Sequence, residues 1–142
     1  MITVRHITDP ADRQVAFRIR REVFVDEQRV PAEAECDQYE TVARHFLARA
    51  GDEPAGTARW RFTGKGVKLE RFAVRRQHRG QGVGSALVEA VLADVRQHPE
   101  YHGQSIYLHA QLTAMPLYTK YGFRPVGDLF VECDIEHYQM VL

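Results

Sequence analysis

Between positions 79 and 84 the chain reads Arg79-Gly80-Gln81-Gly82-Val83-Gly84, and residue types spaced in this way bind phosphate. Alternate glycines let the main chain adopt turns closed to other residues and approach a ligand closely. A helix starting at the end of such a loop adds unpaired N–H groups and the positive end of its dipole. Arg71, Arg75, Arg76 and Arg79 crowd the same stretch, so the expected ligand is a polyanion gripped by amides and guanidinium groups together. Spacing then separates three kinds of phosphate loop. The G-x-x-x-x-G-K-[ST] form fails because no lysine lies between Lys68 and Lys120 to reach outer phosphates. The dinucleotide form G-x-G-x-x-G fails because the glycines alternate at 80, 82 and 84. What remains is Arg-x-x-Gly-x-Gly.

The elements around the loop must hold it. Lys68 to Val74 reads as a strand entering it, and Val83, Leu87, Ala90, Val91 and Val95 recur at helical spacing after it. Upstream, Ile2 to Thr8 reads as a strand, and Asp9-Pro10 offers an N-cap with proline at the first helical position. The helix that follows has Val15, Ile19 and Val23 on its apolar face and is expected to run to about Phe24. Ala43 to Ala50 and Ala55 to Phe62 form an expected hairpin around Gly51-Asp52-Glu53-Pro54. Downstream come a helix end at His98-Pro99, a strand over 105–110, and a helix over 114–121 closed by Gly122 as a left-handed cap. Two final strands are expected over 123–136 and 137–141. With no repeats or linkers, this alternation predicts one three-layer α/β domain over residues 1–142.

Arg79, Gly82 and Gly84 match the cofactor signature of the GNAT N-acetyltransferases, and Tyr118-Thr119-Lys120-Tyr121-Gly122-Phe123 resembles the Tyr-x-x-x-Gly-Phe element near the end of that domain. Val23 to Pro31, Gly56 to Arg61, Glu70-Arg71 and His137-Tyr138-Gln139-Met140 are similar to the ElaA/YjcF-like branch of the family. The resemblance spans almost the whole chain. It implies a mixed, mostly antiparallel sheet whose two central strands splay apart, and an acetyl group moved from acetyl-CoA to a primary amine by direct attack in a ternary complex. It also implies that Arg79, Gly80, Gln81, Gly82, Val83 and Gly84 hold the pyrophosphate of coenzyme A, with Arg75 and Arg76 reaching another phosphate. Main-chain groups of Phe72 and Val74 would pair with the pantetheine arm and the acetyl carbonyl.

By the same resemblance, Tyr118 is the general acid for the departing thiolate. A phenol stays protonated at neutral pH, with an ordinary pKa of about 10, and so has a proton to give. Alternation along the strand puts Glu70 on one face with Phe72 and Val74, which makes it the first candidate for the base, ahead of Glu27 and His109. The plain alternative for Glu70 is an ion pair with a neighbouring arginine. The same fold with the same loop also suits a CoA-binding sensor or interaction module without turnover.

Composition narrows the partners. Of 142 residues, 44% are hydrophobic and 27% charged, and nineteen basic residues balance nineteen acidic ones, which argues against a nucleic-acid binder. No apolar run approaches the roughly 18 residues of a membrane span, and no leader is expected, so the chain reads as cytoplasmic. Cys36 and Cys133 are too few for a disulfide framework and read as reduced, structural thiols. The histidines lack metal-ligand spacing, so no metal is expected. The acceptor is expected to be a small cationic amine, drawn by six acids against one base between Asp26 and Glu40. GNAT domains often pair, which leaves a homodimer open.

Overall fold

Asp9 starts the first helix, α1 (Pro10–Arg20), by accepting a hydrogen bond from the Ala11 amide at 2.6 Å. Such caps contribute about 1 kcal/mol. The helix does not stop at Phe24. It continues as a π-helical turn over Arg21–Glu27 and closes at Arg29, whose φ is +63°. The computed structural model describes residues 1–142. The other helices are α2 (Ala32–Glu35), α3 (Val83–Gln97) and α4 (Met115–Lys120). The strands are β1 (Ile2–His6), β2 (Arg44–Ala50), β3 (Glu53–Thr63), β4 (Gly66–Val74), β5 (Ile106–Gln111), β6 (Arg124–Glu132) and β7 (Ile135–Val141). No helix is long and apolar enough to cross a membrane.

All seven strands form one sheet in the order β1-β2-β3-β4-β5-β7-β6. Every pairing is antiparallel except β4 with β5. That parallel pairing lasts only from Val67↔Ile106 to Leu69↔Leu108. Beyond it β4 and β5 diverge, so the expected splay is present.

Helix α3 packs Val83, Leu87, Val88, Val91, Leu92 and Val95 against Phe46, Ala58, Trp60, Val67 and Leu69 on one face of the sheet. Burying each such side chain is worth about 1.5–3 kcal/mol. A smaller cluster on the other face joins Ala16, Ile19 and Val23 to Leu47 and Ala73. Gly122 takes φ +95° after α4, the left-handed cap that its sequence predicts. The last hairpin turns at Cys133-Asp134, with φ of +50° and +62°, so the boundary falls before Ile135 instead of at His137. Two consecutive left-handed residues match the twist of a tight hairpin turn, a role usually filled by Asn-Gly. Both cysteines are exposed and free, which corrects their reading as structural thiols.

One feature of β4 governs the centre of the molecule. Arg71 has φ +57°, and the register with β3 slips between Arg59↔Glu70 and Thr57↔Ala73. This is a β-bulge, with one extra residue on β4. Lys68, Glu70 and Arg71 all send their side chains to carboxylates or arginines of the α1–α2 face. Phe72 and Val74 instead pack with the α3 cluster.

Candidate active site

The fork between β4 and β5 opens a cleft of about 930 Å³, within the range of small-molecule sites. Phe72, Val74, Arg79, Gly80, Tyr118 and Glu70 all line it. Arg75 donates its amide to Ala55 on β3 at 2.8 Å. Alternation therefore turns the main-chain groups of Phe72 and Val74 toward the gap that β5 leaves. The Val74 carbonyl already accepts from Arg79 Nε at 3.0 Å, which leaves its N–H for a ligand.

The glycine loop has the geometry that its sequence predicts. Gly80 and Gly82 sit at φ +76° and +89° with open space where a Cβ would be, and Gly82 precedes α3 directly. Helix α3 follows with Val83, Gly84 and Ser85 in its first turn, where amides lack partners within the helix. Gly84 serves a different purpose, since a Cβ there would stand 3.2 Å from Leu117 on α4. Gln81 is exposed and reaches only the Gln77 carbonyl, at 3.4 Å.

The four arginines divide. Arg79 and Arg76 stay at the loop, both held by Glu27 at 3.0 and 3.3 Å. Arg75 turns away to Glu22 and the Pro54 carbonyl, and Arg71 turns to the Glu35 carbonyl and Asp37. Neither belongs to the loop, contrary to their sequence proximity.

Tyr118 is 6% exposed and its ring meets Phe72 edge-on at 5.7 Å. No protein group hydrogen-bonds its hydroxyl. Burial pushes the phenol well above its ordinary pKa, so it enters the cleft as a protonated donor.

Glu70 is placed differently from its sequence expectation. Alternation from Val67 and Leu69 puts it on the α1–α2 face, where Arg59 Nη2 (2.8 Å), Arg61 Nε (2.9 Å) and Lys68 Nζ (3.2 Å) surround it, and the bulge at Arg71 turns Phe72 away to the other face. Burial opposes its ionisation, but the Arg61 hydrogen bond and the charges of Arg59 and Lys68 prevail and lower its pKa. A carboxylate held by three cations is a poor proton acceptor, so the alternative of an ion pair is the one that the structure contains.

Glu35, Asp37 and Glu40 of the acidic segment are likewise engaged. Buried Arg20 binds Glu35 and Glu40, each at 2.6 Å, and Arg59 binds Asp37 at 2.6 Å and Glu40 at 2.8 Å. Burial works against Asp37 and Glu40. Hydrogen bonds from Arg59 and the Tyr39 amide to the first, and from Arg20 to the second, nevertheless bring both down to about 2. These carboxylates fasten the α2 region to the sheet and are not free to draw in a cation.

On the β5 side, sequence reasoning ranked one cleft residue low and missed another. His109 follows the last residue of β5 paired with β4, and Glu132 at the end of β6 places Oε1 3.8 Å from its Nδ1. That is an electrostatic contact, too long for a hydrogen bond. Phe130 packs edge-on to His109 at 5.1 Å and stacks on His137 at 5.6 Å. Gln111 bonds Gln28 at 2.8 Å across the mouth. Glu132 gave no signal in sequence, because only the strand order brings β6 near β5.

A forked sheet, a glycine loop at a helix start and a buried tyrosine across the fork together define a family. Residues 7–142 match the model of the acetyltransferase (GNAT) domain. The chain is 38% identical over 127 residues to the uncharacterised N-acetyltransferase YjcF of Bacillus subtilis, covering 89% of each chain. It superposes on the crystal structure of Escherichia coli ElaA with a TM-score of 0.86 at 26% identity, over 99% of each chain. An acyl-CoA N-acyltransferase from Pseudomonas aeruginosa matches with a TM-score of 0.82 at 28% identity, over 99% of this chain and 97% of that one. The protein belongs to the GNAT acetyltransferase family.

Proposed function

We propose that the protein transfers an acetyl group from acetyl-CoA to the primary amine of a small molecule, in a single complex of both substrates. The observation that carries this reading is the arrangement around the fork. The glycine loop runs through Gly80 and Gly82 into the first turn of α3, the main-chain edge of Phe72 and Val74 borders the gap, and the Tyr118 hydroxyl waits unpaired beside it. The residues fit coenzyme A. Amides at the start of α3, with Arg79 and Arg76, suit the pyrophosphate, and the edge of β4 suits the amides of the pantetheine arm. Acetyl-CoA supplies the activated acyl group. Tyr118 protonates the departing sulfur, and the packing of Phe72 and Phe123 on its ring fixes its direction.

The test has two arms. Acetyl-CoA at about 100 times its dissociation constant stabilises the fold by about 2.7 kcal/mol, read as a rise in Tm, and Gly82→Val abolishes that rise while circular dichroism stays native. Release of free CoA with a panel of primary amines then measures transfer. A Tm rise without turnover of any amine favours a CoA-binding sensor, and no rise at all refutes the cofactor assignment.

A further inference from the structure

We propose that His109, oriented by Glu132, is the group that takes the proton from the acceptor amine. The proposal rests on the acyl-transfer reading above and deepens it. Ile106, Leu108 and Ala110 of β5 belong to the α3 core, so Tyr107, His109 and Gln111 face the opposite side. Gln111 bonds Gln28 of the α1–α2 region and Tyr107 bonds Thr63, in keeping with that placement. His109 and Tyr118 therefore stand on opposite faces of the sheet with the fork between them, and both line the cleft. This lets His109 meet an amine that attacks one face of the acyl carbonyl while Tyr118 reaches the sulfur from across the fork.

The imidazole has the right polarity. Its Nδ1 is buried with no hydrogen-bond partner and faces the Glu132 carboxylate. The contact with His109 outweighs burial and keeps the pKa of Glu132 below its ordinary value, so the group facing Nδ1 is a carboxylate. A carboxylate on that side favours the proton on Nδ1 and leaves the Nε2 lone pair free, the same logic by which an acid orients histidine in hydrolytic triads. Nε2 makes no hydrogen bond within the protein. His137 is spoken for, since its Nδ1 donates to the Ile135 carbonyl at 2.7 Å.

The step balances. The amine nitrogen attacks the acetyl carbon and forms the C–N bond, and the C–S bond breaks with its electron pair on sulfur. Tyr118 gives its proton to that sulfur, and the excess proton on nitrogen passes to His109 Nε2. Imidazolium and phenolate then exchange the proton through solvent, leaving amide and free thiol. Glu70 cannot take this part, because three cations hold it.

Other groups facing His109 also titrate or carry charge: Glu132 from β6, His137 from β7, Tyr107 beside it on β5, and Lys68 and Glu70 across the fork. The test therefore combines tautomer and rate. Nitrogen-15 NMR of the imidazoles, assigned with His109→Gln, should show His109 protonated at Nδ1 at neutral pH, and Glu132→Gln should weaken that preference. With acetyl-CoA and glycinamide or spermidine as acceptors, His109→Gln should lower kcat about 100-fold or more and abolish its fall on the acid side, with acetyl-CoA affinity unchanged. Glu132→Gln should lower kcat by less than His109→Gln does, because the base remains but loses its orienting partner, with acetyl-CoA affinity unchanged. An Nε2–H tautomer, or a His109→Gln enzyme with wild-type kcat and pH profile, overturns the assignment. Wild-type protein that binds acetyl-CoA but turns over no amine of the panel overturns both the enzyme reading and the base, and is told apart by needing no variant.

Discussion

Glu70 and Phe72, two positions apart on β4, point to opposite faces of the sheet because Arg71 between them adopts φ +57°. An uninterrupted strand would put them on the same face. The bulge therefore sorts the chemistry of the cleft, sending the aromatic ring to Tyr118 while the carboxylate stays with the arginine network.

The bulge itself is open to test. Arg71→Gly keeps the left-handed conformation without Cβ strain and loses only the bonds to Glu35 and Asp37. Arg71→Val also forces a β-branched residue into that region, at a further cost of about 1–3 kcal/mol. Urea denaturation should rank wild type, then glycine, then valine; equal stability of the two variants would show that the bulge relaxes.

Removing the Glu70 charge should affect folding more than chemistry. Glu70→Gln leaves Arg59, Arg61 and Lys68 facing one another, and breaking a buried pair in this way costs about 3–5 kcal/mol. Turnover per folded molecule at low temperature should stay within a few-fold of wild type. A loss of 100-fold or more would restore Glu70 as the base.

Gly84 couples the glycine loop to the helix that carries Tyr118. A valine there meets Leu117 Cδ2, 3.2 Å from the Cβ position, and pushes on the helix that carries Tyr118. Gly84→Val should lower kcat, and adding Leu117→Ala should restore part of it. Additive losses in the double mutant would mean that the two sites do not communicate through this contact.

Tyr118→Phe keeps the ring packing and removes the donor. It should reduce kcat by about 100-fold to 10,000-fold, the usual worth of a general acid, with little change in the acetyl-CoA dissociation constant from calorimetry. Wild-type turnover would mean that water or another group protonates the thiolate.

Acid should unfold the protein through its carboxylate network. Asp37 and Glu40 titrate near about 2 when folded, against ordinary values of 3.8 and 4.5. A depressed folded pKa contributes stability that is complete above the unfolded value and is lost as pH falls toward the folded one. The urea midpoint should therefore drop most between about pH 4.5 and 2, after a shallower fall that begins near the ordinary histidine value of 6.5, because burial lowers the pKa of His45 and His6 in the folded chain. Arg59→Met should flatten that drop, and an unchanged slope would place the acid sensitivity elsewhere.

Much of this was legible in the residues. The loop at Gly80–Gly84, helix α3 and the cap at Gly122 follow from local rules, since glycine conformation and helical spacing need only neighbours in sequence. The facing of Phe72 away from Glu70 was not legible, because a single arginine in a left-handed conformation leaves no mark in composition. The segment from Asp26 to Glu40 looked like free acid for a similar reason. Its partners Arg20, Arg59 and Arg71 reach Glu35, Asp37 and Glu40 from other elements, and only the folded chain brings them together. Glu132 lies on a strand whose approach to His109 depends on β7 lying between β5 and β6.

The three residue pairs joining β4 to β5 have a mechanical consequence. They are the narrow waist of the sheet, with β1–β4 on one side and β5–β7 on the other. A molecule lying in the fork and bonding to both edges acts as a temporary eighth strand, stitching the two halves where the polypeptide leaves a seam. Amide exchange should then slow most at the fork-facing positions of β4 and β5 when the cleft fills, and the ligand becomes part of the architecture for as long as it stays.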